Sequence, residues 1–400
     1  MMEQTHILAF LGISLLFSLI TGRGATQIKV PLIIGYIIAG AILGPAIIGF
    51  VSAKQVNSLS FVNILTLSLI GFNVGSELRF KELRKMGRSI MIITVFEATV
   101  AFLITGIATA IALKSIPMGI IYGALACATA PAGTIDVIRQ YKAKGELTST
   151  LFAVMGLDDI YALILYSLGI PLAGIMLGSH AVSIPVALLG ALRDISLELV
   201  FGSAIGYLLV YLGRFIHEQT LFLIYSLGAL FAMCSLALVY NISPILLTMS
   251  AAIVMTNMNG LVTRKLAQAL TQWSPPVYLM FFVLLGSRLD FGIIASYSLL
   301  IIAYIVFRTL GKFGGAYYGS KLAGASPKVQ NYLGFTLLSQ AGVAIGLSLG
   351  AANILSSMKM ELQAKQVISV MTASTFLIML VGPVLVKYGL SRAGELQVKE

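Results

Sequence analysis

Charge is what this 400-residue chain has least of: Asp, Glu, Lys and Arg make up 10% of it, where a soluble domain carries about 25%. Apolar residues make up 58%. A soluble fold is thereby excluded, and a polytopic membrane protein is expected. Cysteine is nearly missing: Cys127 and Cys234 lie far apart in apolar segments, which leaves no disulfide framework or thiolate metal cluster. Histidine is confined to His6, His180 and His217, all at segment ends, so no histidine metal site is expected. Alternating apolar and polar strands are missing too. The 39 glycines and 11 prolines interrupt apolar runs, which suits close-packed or broken transmembrane helices and does not suit a barrel. The run HILAFLGISLLFSLITG has no Lys or Arg before it and no small-x-small cleavage site, so it reads as a retained first span.

Windows of about twenty apolar residues, bounded by charge or by Pro and Gly, give thirteen candidate spans. They run over 6–21, 30–50, 58–76, 88–113, 116–137, 148–172, 194–213, 219–240, 243–260, 274–287, 292–318, 329–354 and 364–388. An odd number of spans puts the termini on opposite sides. With the N-terminus outside, eighteen of the 26 basic residues fall on inside loops and six on outside loops, while Arg308 and Lys312 fall within a span. That excess follows the positive-inside rule and predicts a cytoplasmic C-terminus in the cell membrane. It also explains most of the net charge of +11 without a nucleic-acid partner.

Four short stretches recur in the same order in both halves, at an offset of about 210 residues. They pair Pro31 with Pro244, Gly75 with Gly286, Glu97 with Arg308, and Ala132-Gly133 with Ala341-Gly342. Six spans and one linking span then separate the repeats, which forces the second to be inverted. The domains expected are a first repeat over 1–178, a linker helix over 179–217 and a second repeat over 218–400. Inverted repeats place a transport site near the midplane, where they meet.

The stretch GLDDIYALILYSLGIPLAG, residues 156–174, holds Asp158 and Asp159 in an otherwise apolar run. About ten residues into their span, at about 1.5 Å per residue, they reach mid-bilayer. Ionisable side chains at that depth mark function by default. Adjacent helical residues point about 100° apart, so one carboxylate can meet a cation path while the other meets a counter-charge. Proton and metal cation can then compete for one oxygen.

The candidate counter-charge is Arg308, which neutralises an aspartate or steadies helix ends. Lys312 follows one turn later on the same face and can do either, or snorkel. Glu97, the repeat-mate of Arg308, reads as an ion-pair partner near a helix end. Pro131 must break the fifth span and free carbonyls near 127–128. Ser339, Gln340 and Gly342 interrupt the twelfth at the corresponding place. Paired interruptions point to an ion site of unwound carbonyls, to which Thr129 can add a hydroxyl.

Several motifs together, VPLIIGYIIAGAILGP, ATAPAGT, GLDDI, RTLGKFGGAYYG and SQAGVAIGLSL, span nearly the whole chain. They resemble the monovalent cation:proton antiporter family, in its Asp-Asp branch, including the membrane domain of Kef-type relatives. The resemblance implies about 13 transmembrane helices in two inverted six-helix repeats with two crossing broken helices. It also implies a homodimer in which a core, 88–178 plus 292–389, moves like an elevator against a dimerisation domain, 1–87 plus 218–291. By position, Asp159 is implied as the main cation ligand, Asp158 as partner of the base in span eleven, and Thr129-Ala130 as the unwound backbone beside them. Two departures stand out. Arg308 stands where many relatives have Lys, and Arg does not release its proton, which argues against two protons per cation. Ala130 replaces a frequent Asp or Ser. Thirteen residues follow Lys387, so the nucleotide-binding domain of glutathione-gated potassium-efflux relatives is not expected.

The expected function is exchange of Na⁺, or alternatively Li⁺ or K⁺, for H⁺, with no enzymatic activity and no cofactor beyond the transported ions. Asp158, Asp159 and Arg308 are the expected working residues, with the cation held by Asp159, Asp158, Thr129 and Ala130. An intramembrane aspartyl protease would need two aspartates on different helices, and Asp136 sits near a membrane face. A sodium-coupled organic-anion symporter would need a roomy polar cavity.

Overall fold

The computed structural model describes residues 2–27, 32–130, 134–135, 137–138, 141–178, 184–216, 218–240, 242–289, 291–340 and 342–397. The motif residues Pro131, Ala132, Gly133, Asp136 and Ala341, and also His217 and His180, lie outside that set. In chain order the helices are α1 (Met2–Gln27), α2 (Leu32–Leu43), α3 (Ala53–Ser58), α4 (Phe61–Glu77), α5 (Phe80–Leu113), α6 (Ile116–Cys127), α7 (Glu146–Gly178) and α8 (Ile184–Gly213). There follow α9 (Gln219–Val239), α10 (Pro244–Met258), α11 (Gly260–Ser287), α12 (Phe291–Ser296), α13 (Ser298–Leu322), α14 (Pro327–Thr336), α15 (Gly342–Ser357) and α16 (Glu361–Arg392). The described residues hold no strand, and nine of the helices are long and apolar enough to cross a membrane. The chain is an all-α, multi-pass membrane protein. In lipid each span must close its own backbone hydrogen bonds, and the helix is the element that does so.

Local sequence explains the ends. Ser115 and Ser243 cap α6 and α10 by accepting hydrogen bonds from the Met118 and Leu246 amides, and a proline follows each cap in the first turn. Outward side chains such as Leu16, Ile107, Ile111 and Leu299 are apolar and exposed, which suits a hydrocarbon solvent. Two drawn spans need correction: the helix of 194–213 begins at Ile184, which puts Arg193 within α8, and that of 274–287 begins at Gly260 and runs through Pro275 and Pro276. Arg264 and Lys265 therefore sit on the first turns of α11, not on a loop.

By its internal contacts the chain forms two units, one of residues 1–83 and 192–289, the other of 84–191 and 290–400. The first is built around Leu69, Phe72, Leu230, Met233, Leu247 and Met255. Its helices touch through glycine: a Cβ on Gly40 of α2 would run into the Val283 carbonyl of α11. The second unit packs Ile93, Leu147, Leu151, Leu333, Leu337 and Val386 around its own core. All the candidate site residues belong to this second unit.

Candidate functional site

Two helices of the second unit stop in mid-span. The first, α6, ends at Cys127, and Ala128 turns extended with φ −61° and ψ 131°. The second interruption separates α14, which ends at Thr336, from α15, which starts at Gly342. The unwound segments meet: the Ala130 amide donates to the Ser339 carbonyl at 2.8 Å, and Thr134 Oγ1 donates to Ser339 Oγ at 3.1 Å. Each broken end leaves carbonyls without helical partners, and in a buried site these must be satisfied.

Arg308 satisfies them. Its Nε donates to the Ala126 carbonyl at 3.1 Å, Nη2 to Ala128 at 2.9 Å and Nη1 to Leu338 at 2.9 Å. One guanidinium thus staples the C-terminal ends of both half-helices, where the helix dipoles concentrate negative charge. Gln340 adds a second tie through Nε2, to the Leu125 carbonyl at 3.2 Å and to the Tyr304 hydroxyl at 2.9 Å.

The expected Arg308–Asp158 pair does not form; the cation beside Asp158 is Lys312. Its Nζ lies 3.3 Å from Asp158 Oδ2, 2.7 Å from Glu97 Oε2 and 2.8 Å from Thr129 Oγ1. The reason is geometric. Arg308 has the fork that spans several carbonyls, and the compact ammonium one turn further along α13 fits among carboxylates. The Thr129 hydroxyl, expected to face a transported cation, is engaged by Lys312 and donates in turn to the Leu337 carbonyl at 3.4 Å. Glu97 and Lys312 are fully buried, and Asp158 is 1% exposed. Asp159, the neighbour of Asp158 on α7, is 7% exposed, and Ala130 lies at the crossing.

Glycine brings Glu97 to Lys312. Gly311, Gly315 and Gly319 repeat every fourth residue along α13, and they let it press against Ala101, Glu97 and Ile93 of α5. A Cβ on Gly315 would stand 2.5 Å from the Glu97 Cα. The structure therefore gathers Glu97, Thr129, Asp158 and Lys312, keeps Asp159 on the adjoining face, and sends Arg308 to the main chain. The sequence reading gave Lys312 several roles and gave Glu97 a place near a helix end. The glycine period beside Lys312 was the signal that could have joined the two.

Comparison with known proteins places this geometry in a family. Residues 12–388 match the transmembrane sodium/hydrogen exchanger family. The sequence is 22% identical over 345 residues to the Na(+)/H(+)-K(+) antiporter GerN of Bacillus cereus, covering 84% of this chain and 87% of that protein. The fold is similar to that of the sodium proton antiporter MjNhaP1 from Methanocaldococcus jannaschii at pH 8, with a TM-score of 0.77 and 16% identity over 99% of this chain and 100% of that one. An electron-microscopy structure of MjNhaP1 gives a TM-score of 0.72 over 98% of each chain. The chain belongs to the sodium/hydrogen exchanger family, membrane antiporters that exchange monovalent cations for protons.

Proposed function

We propose that the chain exchanges sodium for protons, with Asp159 alternately holding the cation and the proton. Asp158 and the unwound main chain at Thr129 and Ala130 complete the cation's oxygen shell. The observation that carries this reading is the buried aspartate pair of α7, set beside the crossing of two interrupted helices. Carboxylates and main-chain carbonyls are the ligands a hard cation selects. A carboxylate at such a depth is tolerated when a cation or a proton neutralises it. Arg308 holds the broken helices together as a structural staple, and Lys312 is the counter-charge that Asp158 leaves when a cation arrives.

Every residue invoked belongs to the second unit, which supports an elevator in which the core, 88–178 plus 292–389, carries the ion. In the same proposal the domain 1–87 plus 218–291 forms a homodimer, the N-terminus lies outside the cell membrane and the C-terminus is cytoplasmic. The relative GerN carries K⁺ in its name as well as Na⁺, which favours potassium as the second candidate cation. Proteoliposomes with an imposed pH gradient test the reading: Asp159→Asn should abolish cation-driven proton movement. Full exchange in that variant would refute the assignment. Currents on solid-supported membranes with Na⁺, Li⁺ and K⁺ in turn then rank the cations.

A further inference from the structure

Helix α11 is longer than the membrane it crosses. Its 28 residues, Gly260–Ser287, rise about 42 Å at about 1.5 Å per residue, against a hydrocarbon core of about 30 Å. Arg288 follows its far end, and about twenty residues back from there, near Gln268, the core is used up. Trp273, the one tryptophan of the chain, sits close to that level, where amphipathic rings gather. The first turns of α11, with Arg264 and Lys265, therefore stand in the headgroup layer. Beside them lies a cavity of about 830 Å³ between α11 and the start of α9, all within the first unit. Arg264, Lys265, Gln268 and Gln272 line it from α11, and Gln219 and Phe222 from α9. Arg264, Gln268 and Gln272 follow at intervals of four, which puts them on one helix face. Both cations are exposed, and Phe222 is buried. Against the two cations stands Glu218, one residue before Gln219, which leaves the cavity net positive.

We propose that this cavity binds the headgroup of an anionic phospholipid. Arg264 offers a planar fork that pairs with two phosphate oxygens, and Lys265 adds a point charge. The side-chain amides of Gln219, Gln268 and Gln272 both donate and accept, which suits the hydroxyls of a glycerol headgroup. Phe222 supplies apolar surface for the carbon atoms that join the headgroup to its chains. A lipid phosphate is already confined to this layer, whereas a free anion gives up its freedom in bulk water to enter it, which favours the lipid. A second copy of the chain presents the same positive cavity and so offers no complement to it. In the orientation proposed above the cavity faces the cytoplasm, the side on which basic pockets between spans meet anionic lipid. Only that orientation is taken from the proposed function. No residue of the cavity belongs to the broken helices or to the acids beside them, so lipid binding is separable from exchange.

The test follows thermal unfolding of the whole chain in a neutral detergent as phosphatidylglycerol, phosphatidylcholine or inorganic phosphate is added. The wild-type midpoint should rise with phosphatidylglycerol until it saturates and should stay in place with the other two. Arg264→Gln combined with Lys265→Gln keeps polar side chains on an exposed face. That variant should unfold at the wild-type midpoint without lipid and need roughly tenfold more phosphatidylglycerol for half the rise. Lys321→Gln combined with Lys328→Gln removes two exposed cations elsewhere and should keep the full response. An equal rise with phosphatidylcholine overturns the proposal, and so does an equal rise with phosphate, which would mark a site for a free anion. A wild type that ignores phosphatidylglycerol overturns it even if the variants do not fold. An undiminished response in the folded Arg264 and Lys265 variant, or an equal loss in the Lys321 and Lys328 variant, does the same. A change of oligomeric state in the lipid-free Arg264 and Lys265 variant would make the face a contact between copies and overturn it too.

Discussion

Arg308 and Lys312 lie four residues apart on α13, both fully buried, and they serve different chemistry: the guanidinium binds three main-chain carbonyls, and the ammonium binds two carboxylates and a hydroxyl. Along α13 the two cations stand about one turn apart, roughly 6 Å of rise at about 1.5 Å per residue. A planar fork with five donors holds geometry, and a flexible point charge can change partners. In the proposed function, this division keeps the crossing rigid while the ion site next to it exchanges ligands.

That division predicts the outcome of swapping Arg308 for lysine. Arg308→Lys retains the charge but reaches one or two of the carbonyls of Ala126, Ala128 and Leu338, stranding the rest. Each lost hydrogen bond to a charged group costs about 1.5–3 kcal/mol. Thermal unfolding in detergent should show a lowered midpoint. Retained charge with a wild-type midpoint would mean that electrostatics alone, without the fork, holds the crossing.

Two adjacent glycines of α13 make a paired control. A Cβ on Gly315 meets the Glu97 Cα at 2.5 Å and the Phe96 carbonyl oxygen at 2.7 Å, whereas a Cβ on Gly314 meets nothing within 4 Å. Gly315→Ala must push α13 off α5, an overpacking that costs about 1–3 kcal/mol and lengthens the Lys312–Glu97 contact. Gly314→Ala should leave stability and exchange within error of wild type. Equal behaviour of the two variants in thermal unfolding and sodium-driven proton flux would contradict the packing described.

How much of this was legible in the sequence divides by physical cause. Spans are set by transfer from water to lipid, a summed property of some twenty side chains, and each of the thirteen has its helix or broken helix. Two starts were drawn too late, at 194 where the helix begins at Ile184 and at 274 where it begins at Gly260; the second span was bounded at Pro275 and Pro276, although prolines inside a packed membrane helix are tolerated. The interruptions were legible through Pro131 and the Ser339-Gln340 stretch. The partner of each buried cation was not. Arg308 and Lys312 share a face, so periodicity cannot rank them, and the choice depends on which carbonyls lie free within side-chain reach. The role of Glu97 needed two facts together, an acid in an apolar run and a glycine ridge opposite it. Hydropathy supplies only the first.

The start of α7, the helix that bears both aspartates, is fastened by a residue almost 250 positions away. Glu395 is buried at 5% exposure, and its carboxylate accepts from the Leu147 amide at 2.7 Å, the Thr148 amide at 2.8 Å and the Thr148 hydroxyl at 2.7 Å. The Lys144 amide donates to its main-chain carbonyl at 3.0 Å. A helix start has orphan amides and a partial positive charge, so a carboxylate there acts as an N-cap delivered from outside the helix. Gly145 permits this, since a Cβ at that position would overlap the Glu395 side chain. Glu395→Ala removes the cap and strands two amides in a buried setting, a loss of about 1–3 kcal/mol. Amide hydrogen exchange at residues 146–150 should rise severalfold, with little change at the crossing. Glu395→Gln keeps the shape but has one acceptor oxygen in place of two, and it should fall between the wild type and Glu395→Ala. Unaltered exchange at the start of α7 in both variants would show that the cap contributes nothing to holding the aspartate helix.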